Sequence, residues 1–181
     1  MPRDLPNHAY FRANHGRWRS AFRFVVTDWR AFRGSPMGWL DRMRAVSMAF
    51  VPRVLGPLDL ETSVDYGTRG EEGEVVHTTR LSKWGIALYD AVETFALDDN
   101  GKDVAISREQ RFWPAASPIR EVGASRGEVE ASGTRATYVF PLFGSPMRQI
   151  GSIEAAGVRI LQETAWSRAE VLLERVREPP E

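Results

Sequence analysis

Residues Thr78–Gly101 read TTRLSKWGIALYDAVETFALDDNG, and the reading of this stretch decides the fold. Ile, Leu, Tyr, Val, Thr and Phe run through it and favour a pleated strand. It ends in Asp99-Asn100-Gly101, the strongest turn signal in the chain, because a type I′ hairpin needs positive φ at both central positions. Yet Tyr89, Asp90, Glu93 and Thr94 place polar groups on both faces of the strand. A strand between solvent and an ordinary apolar core would segregate them. Polarity on both sides is expected where the inside is a partly polar cavity.

Working outward, the same pattern fills most of the chain. Strands are expected near 59–66, 74–82, 86–97, 103–113, 119–130, 134–143, 146–154 and 156–166, joined by the glycine-bearing turns TRGEEGE, DDNG, EASGTR and EAAGVR. Ahead of them, Trp18, Ser20, Phe22, Phe24 and Val26 alternate with Arg19, Ala21, Arg23, Val25 and Thr27, which suits a half-buried strand. Residues 1–16, rich in Pro, Asn, His and Gly, read as an irregular lead-in to a single domain over 17–178.

After Gly34-Ser35-Pro36 the period changes. Trp39, Leu40, Met43, Val46, Met48 and Phe50 recur at helical spacing, with Ser35 as N-cap and Pro36 at the first helical position. The helix is expected to stop before Pro52. Trp39, Met43, Met48 and Phe50 pack on the barrel or form a lid over it. Residues 167–178 fit two templates. Ser167-Arg168-Ala169-Glu170 can be a capping box for a helix, while Val171 and Leu173 share one face of a strand.

A strand, a helix and a long antiparallel meander predict a mainly β fold. The meander is expected to close into a barrel of 8–10 strands, because closure removes exposed edges. This order resembles the calycin barrels, lipocalin-like or fatty-acid-binding-protein-like, whose intracellular fatty-acid-binding members carry a helical lid between the first and second strands. The Gly-x-Trp opening of lipocalins is read as unmatched in this chain. The order also resembles the START-like helix-grip fold, for which 167–178 would supply the C-terminal helix. Both resemblances imply a cavity for a small apolar or amphipathic molecule.

In such a barrel alternate residues face inward. One set comprises His77, Thr79 and Leu81, then Tyr89, Glu93 and Phe95, then Arg111 and Trp113. The other register of the third strand carries Arg108 and Gln110 among Val104, Ile106 and Phe112, whose apolar character suits a buried face, and the sequence leaves the choice between the two registers open. Arg108 and Arg111 are thus alternative cavity cations, and arginine suits the role because its planar fork holds a carboxylate bidentately. Tyr138 alternates with Ala136, Phe140 and Leu142, and Gln162 shares a face with Val158, Ile160 and Trp166. The candidate ligand contacts are therefore Tyr89, Glu93, Arg108, Arg111, Trp113, Tyr138, Gln162 and Trp166.

Composition sets the function class. The chain has 181 residues, is 43% hydrophobic, has six Trp and no Cys, and carries no net charge. It has neither a disulfide nor a thiol nucleophile, and no basic balance that would favour nucleic acid. The N-terminal MPRDLPNHAYFRANHGRW has no apolar signal-peptide run, and no stretch is long enough for a membrane span, so a cytoplasmic protein is expected. Lys83 and Lys102 are the only lysines among 24 basic residues, a bias that suits a GC-rich bacterial genome. His8, His15 and His77 lack metal-ligand spacing, and there is no phosphate loop or Gly-x-Ser-x-Gly elbow. No metal or cofactor is expected, and the oligomeric state is open. The expected function is binding of a small hydrophobic or amphipathic ligand. The alternatives are a cofactor-independent isomerase, cyclase or lyase using Glu93, Tyr89 or His77, and an interaction module without a pocket.

Overall fold

The computed structural model describes residues 9–56, 58–66, 74–97, 104–112, 119–129 and 134–176. Three helices and ten strands follow in the order α1 (Ala9–Ala13), β1 (Gly16–Val26), α2 (Trp29–Gly34), α3 (Trp39–Leu55), β2 (Leu58–Tyr66), β3 (Val75–Lys83), β4 (Ile86–Leu97), β5 (Val104–Phe112), β6 (Ile119–Val129), β7 (Arg135–Leu142), β8 (Ser145–Glu154), β9 (Gly157–Glu163) and β10 (Ser167–Arg175). The fold is mainly β, every ladder is antiparallel, and the helical segment follows the first strand. Consecutive strands pair from β2 to β10, and β1 pairs with both β10 and β2, so the strand order is that of a closed barrel.

Alternation produces this wall. In β7, Ala136, Tyr138, Phe140 and Leu142 point inward and are buried, while Arg135 and Val139 face out. In β8, Ser145, Met147, Gln149 and Gly151 do the same. Two tight turns have positive φ at both central residues, Trp84-Gly85 (52° and 76°) and Phe143-Gly144 (50° and 74°), as type I′ hairpins require. The turns expected at 67–73, Asn100-Gly101 and 130–133 lie outside the described residues.

The ring is uneven at one place. β1 pairs with β2 only over Gly16–Ser20, so among the described residues its second half has β10 on one side and no strand on the other. The helices cover that side, with α3 lying against β1. Phe24, Phe32 of α2 and Trp166 form an edge-to-face cluster there, with centroids 6.1 and 5.2 Å from the Trp166 ring. The indole Nε1 of Trp166 donates to Ser145 Oγ at 3.2 Å, so its polar atom is not buried without a partner. At the opposite end α1 inserts Tyr10 and Phe11 into the core. Gly151 makes room for this: a Cβ there would stand 1.9 Å from the Tyr10 hydroxyl.

Several expectations are corrected. The lead-in contains helix α1. β1 starts at Gly16, so Gly16-Arg17-Trp18 opens it. Asp28, not Ser35, caps the first helix after β1: its Oδ1 accepts from the amides of Arg30 and Ala31 at 2.8 and 2.9 Å. Ser35 instead closes α2, with Oγ donating to the Phe32 carbonyl at 2.6 Å. α3 begins at Trp39, runs through Pro52 and ends at Leu55, where Gly56 takes the left-handed conformation, φ 71°. Of its apolar residues, Met48 faces the barrel interior, whereas Trp39, Met43 and Phe50 are exposed on the outer side. Residues 167–175 are strand β10, which removes the C-terminal helix of the helix-grip alternative over those positions. No helix among the described residues is long and apolar enough to cross a membrane.

Candidate functional site

The barrel encloses a cavity of about 350 Å³, at the small end of the range for ligand pockets. Its walls are mainly apolar, with Phe22, Leu58, Leu81, Phe112, Met48 and Ile160 among them. All six inward candidates of β3 and β4, His77, Thr79, Leu81, Tyr89, Glu93 and Phe95, line it. On β5, where the sequence left two registers open, the inward one is Ile106, Arg108, Gln110 and Phe112.

Register assembles the polar part. His77, Glu93 and Arg108 are direct cross-strand neighbours on β3, β4 and β5 and form one row across the wall. Arg108 Nε lies 2.9 Å from Glu93 Oε1, and His77 Nδ1 lies 3.4 Å from Glu93 Oε2. The Arg108 guanidinium also stacks on Phe140, 4.5 Å from the ring centroid. Burial alone would raise the Glu93 carboxyl. The Arg108 charge, followed by the His77 hydrogen bond and charge, outweighs it and holds the group below its ordinary value. Glu93 is therefore a carboxylate with both oxygens engaged.

A second row crosses the barrel on β7, β8 and β9, where Tyr138, Gln149 and Gln162 are cross-strand neighbours. Gln162 Nε2 donates to Gln149 Oε1 at 2.7 Å. Tyr138 is 1% exposed and its hydroxyl has no hydrogen-bond partner among the described residues. Burial, then the neighbouring Tyr10 and Glu93, push its ionisation well above the ordinary value, so it keeps its proton and is a donor. His77 Nε2 is likewise buried without a hydrogen-bond partner. Closer to the β3–β4 turn, the Tyr89 hydroxyl donates to Gln110 Oε1 at 3.3 Å.

No family model, curated protein or solved structure matches the chain.

Of the expected contacts, Tyr89, Glu93, Arg108, Tyr138 and Gln162 meet at the cavity. Arg111 does not. It is on the outward register of β5, its side chain is 58% exposed, and it lies 3.5 Å from Glu109. Trp166 is buried but plugs the α2 end instead of lining the cavity, because β9 stops at Glu163 and the indole belongs to the following turn. Trp113 lies outside the described residues. Lining residues that were not among the candidates include Gln149, Tyr10 and Asn14. Gln149 could have been found from its alternation with Met147 and Ser145. The i,i+4 spacing of Tyr10 and Asn14 is the only local hint of α1. No group of three or more metal-ligating side chains lies among the described residues.

Proposed function

We propose that this protein binds one small hydrophobic or amphipathic molecule inside a calycin-like barrel. The observation that carries the reading is the apolar cavity of about 350 Å³, with Tyr138 and His77 in its lining and their hydroxyl and Nε2 buried without a hydrogen-bond partner among the described residues. A buried hydroxyl without a partner loses its hydrogen bonds to water and gains nothing in return, a cost of roughly 1–3 kcal/mol. A bound polar group would relieve it. The calycin likeness has three supports: the ring of ten strands, the helices between β1 and β2, and Gly16-Arg17-Trp18 at the head of β1, a Gly-x-Trp of the kind that opens lipocalins. Trp18 is buried there, with the Arg175 guanidinium 5.2 Å from its ring centroid.

A proton-transfer enzyme draws less support. Glu93 is held ionised between Arg108 and His77, which blunts it as a base and removes it as an acid at neutral pH. The Tyr89 hydroxyl is engaged with Gln110.

The test is native mass spectrometry of the purified protein together with displacement of an uncharged fluorescent hydrophobe. A mass above the apo value, or saturable one-to-one displacement, is the expected result. An apo mass combined with no probe signal would sink the reading.

A further inference from the structure

Two arginines line the cavity, and each is already matched. Arg108 lies 2.9 Å from Glu93, and Arg44 of α3 lies 2.8 Å from Asp41. Glu93 is the only carboxylate among the described lining residues, and Arg108 neutralises it. Among the described residues, a ligand carboxylate would thus meet no spare cation in this low-dielectric space and would meet Glu93 to repel it. A ligand ammonium would find no spare anion. Moving an unmatched charge out of water is the most costly way to fill such a space.

Arg108 Nε lacks hydrogen-bond geometry but is held in the ion pair with Glu93, so what is left for a ligand is neutral. Tyr138 presents a buried O–H with no partner, and His77 presents a buried Nε2 with none. The same environment that keeps Tyr138 protonated keeps it a donor. Because Nδ1 of His77 faces Glu93, only Nε2 is left for a ligand. A hydroxyl both donates and accepts, so it can take the Tyr138 proton and serve Nε2 in either protonation state of the ring.

We infer that the ligand is an apolar molecule bearing an uncharged hydroxyl group, and that the Glu93–Arg108 pair excludes the corresponding carboxylate. This rests on the cavity-binding reading and sharpens it. The pair acts as a selectivity device: by neutralising Arg108 in advance, Glu93 keeps the site from becoming an anion site.

The experiment compares n-decanol with decanoate on the full chain by isothermal titration calorimetry at neutral pH. Wild type is expected to bind n-decanol at least about tenfold more tightly than decanoate. Glu93→Gln, which removes the negative charge beside Arg108, is expected to tighten decanoate and to narrow or reverse that ratio. Tyr138→Phe removes one oxygen, and is expected to weaken n-decanol by about three- to tenfold while leaving decanoate nearly unchanged. Wild type binding decanoate as tightly as n-decanol would overturn the inference and leave the cavity-binding reading intact. An unchanged n-decanol affinity in folded Tyr138→Phe would overturn the assigned contact, even if Glu93→Gln does not fold. If wild type binds neither probe and the uncharged fluorescent hydrophobe also gives no signal, the cavity-binding reading itself falls.

Discussion

Glu93 and Asp90 lie three residues apart on β4, and each carboxylate has a guanidinium on a neighbouring strand. Glu93 is 2.9 Å from Arg108, and Asp90 is 2.7 Å from Arg80. The distances are alike, but the settings are not. The Arg108 and Glu93 side chains are 9% and 8% exposed, and those of Arg80 and Asp90 are 60% and 39% exposed. The two carboxylates are offset by an odd number of positions along a period-two strand, so one faces the cavity and the other faces water. Water screens the outer pair and solvates either partner if the other is lost. The inner pair has no such reserve. Its members must satisfy each other, and whatever enters the cavity meets a site already balanced in charge.

The largest effect is expected on breaking the inner pair from the cation side. Arg108→Met leaves Glu93 buried with His77 alone and should cost about 3–5 kcal/mol of stability in urea unfolding. Replacing both partners, in Arg108→Met with Glu93→Leu, should recover most of that loss because no charge is then stranded. A double variant as unstable as the single one would mean that the pair matters for its shape and not for its charge.

Removing the anion is expected to cost less at neutral pH, about 1.5–3 kcal/mol for Glu93→Gln, because hydrogen bonds to charged groups are lost but an isosteric amide remains. This effect carries a pH signature. The folded pKa of Glu93 lies below the unfolded value of 4.5, so its contribution is complete above that value and disappears as pH falls through the folded one. Wild type and variant should therefore converge in stability as the pH drops below about 4.5. A gap that stays constant into the acid range would show that ionisation of Glu93 is not its source.

The smallest effect belongs to the outer pair. Asp90→Asn or Arg80→Gln should change stability by about 0–1 kcal/mol, and raising the salt concentration should erase the difference. A cost comparable to the inner pair's would collapse the distinction between the two faces.

Much of this was legible because it is local. The strand boundaries follow from period-two alternation punctuated by glycine-bearing turns, and the eight expected meander strands correspond to β2–β9 within a few residues. The inward register of β5 was left open by the sequence: the apolar neighbours of Arg108 and Gln110 leaned toward one face, and the ladders to β4 and β6 decided it. Elsewhere local signals tied or misled. Ala169 and Leu173 fit both a helical and a strand spacing. The tie breaks only because β1 needs a partner on the side away from β2, and Ser167–Arg175 supplies it. Pro52 signals a stop, but packing of α3 over the unpaired half of β1 carries the helix on to Leu55. Trp166 continues the alternation of Val158 and Ile160, but the chain leaves the ladder at Glu163 and the ring swings into the end cluster.

By itself the sequence determined the element types, the meander order and which side chains share a strand face, because these depend on propensities and on a period of two within a few residues. Only the tertiary structure decided which faces meet. Glu93 sits 15 positions from Arg108 and 16 from His77, and nothing along the chain distinguishes those partners from Arg111 or Asp90. The ladders choose them, because register is settled jointly by the turns and by the apolar faces that must be buried together. The same cooperative choice brings Tyr138, Gln149 and Gln162 into a second row across the cavity.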